Sequence, residues 1–153
     1  MDKKDILKKF IEGLEKEVRN LKKSIGMIHK AGVEAPSAME SHSDTTKSQM
    51  QNLEAKTNED LFSKERELET LRHFTLNDSF EKIEIGSLFE VEEEGKQSTF
   101  FFLKSGAGIK VGECRVITPR APLGRAFLGK KKGEKVIIEP PAGRREYTIT
   151  NIF

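Results

Sequence analysis

The sequence predicts an α+β chain in two parts: an N-terminal antiparallel α-helical coiled-coil hairpin, then a small, mostly antiparallel sheet with one short helix. Three observations carry that expectation. Apolar residues recur at alternating steps of four and three through the first thirty residues. Beyond residue 85 the pattern changes to period two or to short apolar runs. Between two such runs lies Ile117–Lys132, ITPRAPLGRAFLGKKK, where Pro122 suits a first helical turn and Gly129 a helix end.

Lys3 to Ala31 reads as the first helix. Leu7, Ile11, Leu14, Val18, Leu21, Ile25 and Ile28 form a heptad seam, with Lys and Glu on its flanks. At ~1.5 Å per residue such a helix is roughly 43 Å long, suited to a projecting rod. Gly32 is expected to end it, and Val33 to Asp44 to connect it to a second helix from about Thr45 to Phe74. There Met50, Leu53, Leu61, Leu68 and Leu71 make a weaker seam that Thr57 and Lys64 interrupt, and Ser43 or Asp44 is placed to cap the helix. Similar lengths and a short connector favour a hairpin, while an intermolecular coiled coil fits the first helix equally well.

Residues 1–76 are thus assigned to the hairpin, with its tip at about 33–46, residues 77–84 to a linker and residues 85–153 to the second part. Strands are expected at Leu88–Val91, Thr99–Leu103, Cys114–Ile117, Lys135–Glu139 and Tyr147–Ile152, with turns at Glu92–Gly95 and Pro140–Gly143. The short helix between the third and fourth strands is expected to bury Leu123, Phe127 and Leu128 against the sheet.

Charged residues make up 34% of the chain and apolar ones 35%, which argues against one large core. The net charge of +2 selects no partner, but its distribution is uneven. From Phe102 to Phe153 there are 11 Lys or Arg against 4 acids, and from Asn77 to Phe101 there are 7 acids against 2 bases. Such a basic half is either a solvated face or a surface for nucleic acid or an acidic protein. Cys114 is the only cysteine, which excludes an intrachain disulfide and a Cys-rich metal site and reads as a small core residue. With no apolar stretch near 18 residues and no signal pattern, a soluble cytoplasmic protein is expected.

Pro122-Leu123-Gly124-Arg125-Ala126-Phe127-Leu128-Gly129-Lys130, then Lys132-Gly133-Glu134-Lys135-Val136, then Pro141-Ala142-Gly143-Arg144-Arg145-Glu146-Tyr147 resemble the C-terminal domain of the bacterial GreA/GreB transcript-cleavage factors. Ile85-Gly86-Ser87-Leu88 matches the family's first strand, and a helical hairpin ahead of the domain matches its architecture. The resemblance implies an FKBP-like fold that docks at the rim of the RNA polymerase secondary channel, with the coiled coil entering the channel. It implies docking by Arg120, Ala121, Pro122 and Leu123, with Arg125 and Lys130 at further family positions. It also implies a monomer that meets nascent RNA only indirectly and has no membrane role.

At the hairpin tip the family's cleavage factors carry two acids three residues apart. Hydrolysis of a phosphodiester in the polymerase uses a second Mg²⁺, and hard cations prefer carboxylate oxygens. Here Asp44 falls on the first acid, as a candidate catalytic and metal-assisting residue, and Lys47 stands in place of the second. Glu40, four residues before Asp44, is a substitute ligand if the tip is helical there, and His42 is a lone histidine in a polar stretch. No intrinsic cofactor is expected, and any Mg²⁺ would be shared with the polymerase active centre. The resemblance therefore implies a regulator that is not itself an enzyme, either stimulating cleavage or occupying the channel without it. A peptidyl-prolyl isomerase, suggested by the fold alone, and a coiled-coil adapter without a polymerase role are the competing classes.

Overall fold

A computed structural model describes residues 2–34 and 41–153 of the chain, with side chains from residue 45 onward in the second of these stretches. The elements run α1 (Lys3–Glu34), α2 (Ser41–Arg72), β1 (Leu88–Glu93), β2 (Lys96–Phe102), β3 (Lys110–Val111), β4 (Cys114–Ile117), α3 (Pro122–Phe127), β5 (Lys135–Ile138) and β6 (Arg145–Ile152). Two compact units divide the chain, Phe10–His73 and the combination of Met1–Lys9 with Phe74–Phe153.

In the first of these units the two helices lie antiparallel, as the pairing of early with late residues requires. Arg72 donates to Glu15 at 2.6 Å, Lys64 lies 3.2 Å from Glu17, Lys22 lies 2.7 Å from Glu65, and His29 lies 3.2 Å from Glu54. These pairs are largely solvated, so each adds little to stability and their main effect is on register. The apolar contribution comes from Phe10, Leu14, Val18, Leu68 and Leu71, all buried. Farther along, Leu21, Ile25, Ile28, Leu61 and the interrupting Thr57 and Lys64 are only half-buried. Two helices alone cannot enclose a seam, and the exposed Met27, Leu53 and Phe62 mark the same thinning.

The helices are longer than the turn residues suggest. Gly32 does not end α1, which continues to Glu34, and α2 begins at Ser41 rather than near Thr45. A glycine inside a helix costs only about 1 kcal/mol, which packing readily offsets. At Gly32 a Cβ would lie 3.8 Å from the Cβ of Met50, so the position is in the interhelical contact. Ser43 and Asp44 are consequently inside α2 rather than capping it.

The second unit is built on one six-stranded sheet of order β3-β4-β2-β1-β6-β5. All neighbours are antiparallel except β2 and β4, which run parallel from Thr99↔Cys114 to Phe102↔Ile117. All five expected strands are present, and β3 adds a sixth of two residues, too short to leave a periodic signal. β1 and β2 are joined by Glu94 and Gly95, both at positive φ (51° and 77°), as a tight two-residue hairpin requires. β1 starts at Leu88, not at Ile85. Gly86 is at φ 99°, and Ser87 caps the preceding turn through Glu84.

One face of the sheet carries Phe89, Val91, Phe100, Phe102, Ile117, Val136, Tyr147 and Ile149, and Phe127 of α3 packs into that cluster. The Phe127 ring lies 5.1 Å from Phe89, 6.0 Å from Phe100 and 5.6 Å from Tyr147, within the range where aromatic pairs attract beyond simple burial. Leu128, expected in the same core, is 48% exposed because α3 ends at Phe127 and the chain turns outward there. Ile83 is fully buried in this cluster although its surroundings have a linker's composition. It donates to the Lys130 carbonyl at 2.7 Å and accepts from Gly129 N–H at 2.7 Å, so residues 82–83 form a short extra rung beside the basic turn. Upstream, Lys3 donates to the carbonyls of Asn77 (2.7 Å) and Asp78 (3.2 Å) and lies over the Phe80 ring, fixing the entry to the unit.

Candidate functional site

The loop leading into α3 is shaped by two constraints. β4 delivers the chain to Thr118, which is buried, and the Thr118 carbonyl accepts from Ala121 N–H at 3.1 Å to close a turn. Ala121 is extended (φ −73°, ψ 144°) with no side-chain cap, and its carbonyl accepts the first helical bond from Arg125 at 2.9 Å. Pro122 follows in the first turn, where its missing N–H leaves no bond unmade. Gly124 then passes so close to β4's end that a Cβ there would lie 1.9 Å from the Thr118 carbonyl oxygen. No side chain fits that gap. Gly124 lets the helix sit down on the turn, and Phe127 locks it in place.

That seating determines what the loop presents. Arg120, Pro122 and Arg125 are exposed, while Ala121, Leu123 and Lys130 are half-buried. Among the described residues neither arginine is in an ion pair, so both guanidiniums face solvent ready for a carboxylate. Lys130 differs. Its ammonium lies 3.3 Å from Glu134, whose other oxygen accepts from Lys131 N–H at 2.6 Å. That amide bond, with Lys130 beside it, holds the Glu134 carboxyl below its ordinary range. Lys130 therefore serves first to order the basic turn. Arg120, Ala121, Pro122, Leu123 and Arg125 thus come together on one short segment, with Lys130 at its far end. Ile83 is the residue that sequence reasoning missed, and one apolar residue in a charged stretch gives little signal.

The tip residues fall elsewhere in the chain. Glu40 lies outside the described residues, and the side chains of His42 and Asp44 do as well. The backbone places Asp44 in the first turn of α2, where position 47 is three residues on and shares its face. Lys47 itself is exposed. Cys114 is buried, and burial pushes its thiol up to about 11, so it stays protonated at neutral pH and is unreactive. No described helix is long and apolar enough to cross a membrane.

Because the clash at Gly124 is with backbone, Gly124→Ala is expected to cost about 3 kcal/mol. Urea denaturation followed by far-UV circular dichroism checks this. A change below about 0.5 kcal/mol would mean that the loop yields without resistance.

Residues 78–153 match the family model described as transcription elongation factor, GreA/GreB, C-term. GreA of Xylella fastidiosa (strain 9a5c) is 36% identical over 63 residues, covering 41% of this chain and 37% of the relative. GreA of Amoebophilus asiaticus (strain 5a2) is 39% identical over 59 residues, covering 38% and 36%. The matches thus span little more than a third of these curated relatives. The crystal structure of GreA factor homolog 1 of Thermus thermophilus superposes with a TM-score of 0.42 at 19% identity, covering 94% of each chain. Residues 78–153 belong to the GreA/GreB family of transcription elongation factors as a C-terminal domain.

Proposed function

We propose that the chain is a transcription elongation regulator that docks on bacterial RNA polymerase through the α3 loop. The C-terminal domain sits at the rim of the secondary channel, and the hairpin enters it. The observation that carries this reading is the loop itself, seated by Gly124 and Phe127 and carrying exposed Arg120, Pro122 and Arg125. Preorganisation of this kind lowers the ordering cost of binding, and the two guanidiniums complement an acidic protein surface. α1 and α2 are each 32 residues long, and at ~1.5 Å per residue that gives rods of roughly 48 Å, enough to reach well beyond a docking site.

Within the channel we assign the protein an occupying role rather than a cleaving one. Mg²⁺ shared with the polymerase would supply the activated water for RNA hydrolysis if the tip held it. The tip sequence fits that ion poorly. Position 44 offers one carboxylate, and position 47 on the same face carries an ammonium. A positive charge within a few ångströms of a dication raises its energy at any dielectric. The chain's own residues therefore do steric and electrostatic work in the channel. Any RNA hydrolysis belongs to the polymerase, and the protein is itself no enzyme. It acts as a monomer in the cytoplasm, without an intrinsic cofactor.

Two measurements check this. Pro122→Glu introduces a charge at the apolar centre of the loop and is expected to weaken binding to purified core RNA polymerase about tenfold or more, with unchanged circular dichroism. Wild-type affinity in the variant would remove the loop from the interface. With a backtracked elongation complex carrying end-labelled RNA, the protein is expected to leave the RNA full-length while displacing an added GreA protein. Shortened RNA that disappears with Asp44→Ala would overturn the occupying role.

A further inference from the structure

On the sheet face that carries α3, a groove of about 430 Å³ opens beside the helix. Its floor is Phe100 and Tyr147, both almost fully buried, and Leu123 of the α3 loop forms one wall. Strand register places Lys110 of β3 directly opposite Arg115 of β4, and both line the groove. Like charges in that cross-strand relation repel. Among the described residues neither has a carboxylate within 4.0 Å, although Glu113 and Glu93 also line the groove. Glu93 is instead 3.7 Å from Arg145. Two adjacent cations without a carboxylate in ion-pair range, in a groove that Glu113 and Glu93 line only farther off, form a seat for an anion.

We propose that this groove receives an acidic side chain of the protein that docks on the α3 loop, its carboxylate held between Lys110 and Arg115. The inference rests on the docking reading above and extends that surface from the loop onto the sheet. Leu123 supplies the continuity, since it belongs to the loop and lines the groove. An adjoining apolar side chain of the same acidic segment packs on Leu123. The pairing relieves the repulsion between the two cations and makes the groove selective for an acidic partner.

The test is the double variant Lys110→Gln with Arg115→Gln, titrated with core RNA polymerase over a range of NaCl concentrations. Both side chains are exposed, so the fold is retained, and a thermal melt checks it. The expected result is about tenfold weaker binding at low salt, with a shallower dependence of log Kd on log salt. Unchanged affinity and slope, while Pro122→Glu still weakens binding, would overturn the groove and leave the docking loop standing. Wild-type protein that fails to bind polymerase would remove both. Shifts of the Lys110 and Arg115 resonances with inorganic phosphate alone, without any loss of polymerase affinity in the variant, would make the groove a small-anion site and overturn the proposal.

Discussion

The approach of Gly124 to the Thr118 carbonyl is the constraint on which the candidate site depends. A six-residue helix has no stability of its own, because its nucleation cost is never recovered by so few hydrogen bonds. α3 exists because the Phe127 ring is held by Phe89, Phe100 and Tyr147 and because Gly124 allows the backbone to settle on the turn below. Pro122 and Ala121 are held to the entry of the helix, and Arg120 and Arg125 are left exposed. Folding energy on the inner side of the helix becomes preorganisation on its outer side.

Charge follows a similar division of labour. Within the hairpin, the pairs Glu15–Arg72, Glu17–Lys64 and Lys22–Glu65 lie along the seam, largely solvated, and fix register more than they add stability. In the C-terminal domain Glu134 orders the basic turn, and Lys135 with Glu146 ties β5 to β6. Arg120, Arg125, Lys110 and Arg115 are outside every such pair among the described residues. Intramolecular pairing therefore separates the cations that hold the fold from those left available for a partner.

Much of this was legible in the residues. Strong periodicity marked α1 and a weaker, interrupted one α2, and Pro122 with Gly129 bracketed α3. The misses share a cause. Gly32 carries local turn propensity, which the interhelical packing overrides. β3 is two residues long, and its pairing with β4 is a tertiary fact without a local pattern. Leu128 followed the apolar face of an ideal helix, but the helix stops one residue before it. The cross-strand meeting of Lys110 with Arg115 depends on register and could not be read from spacing. Likewise, Gly124 is required by a contact between backbones, which no helix pattern reveals.

The claim that the α3 loop is the docking element is tested most directly by hydrogen–deuterium exchange of residues 118–130 with and without core RNA polymerase. Slowed exchange in this segment and the neighbouring groove strands β3 and β4, in addition to any in the hairpin, is the result expected. Unchanged exchange there, with protection appearing instead along the β5 edge or only in the hairpin, would contradict it.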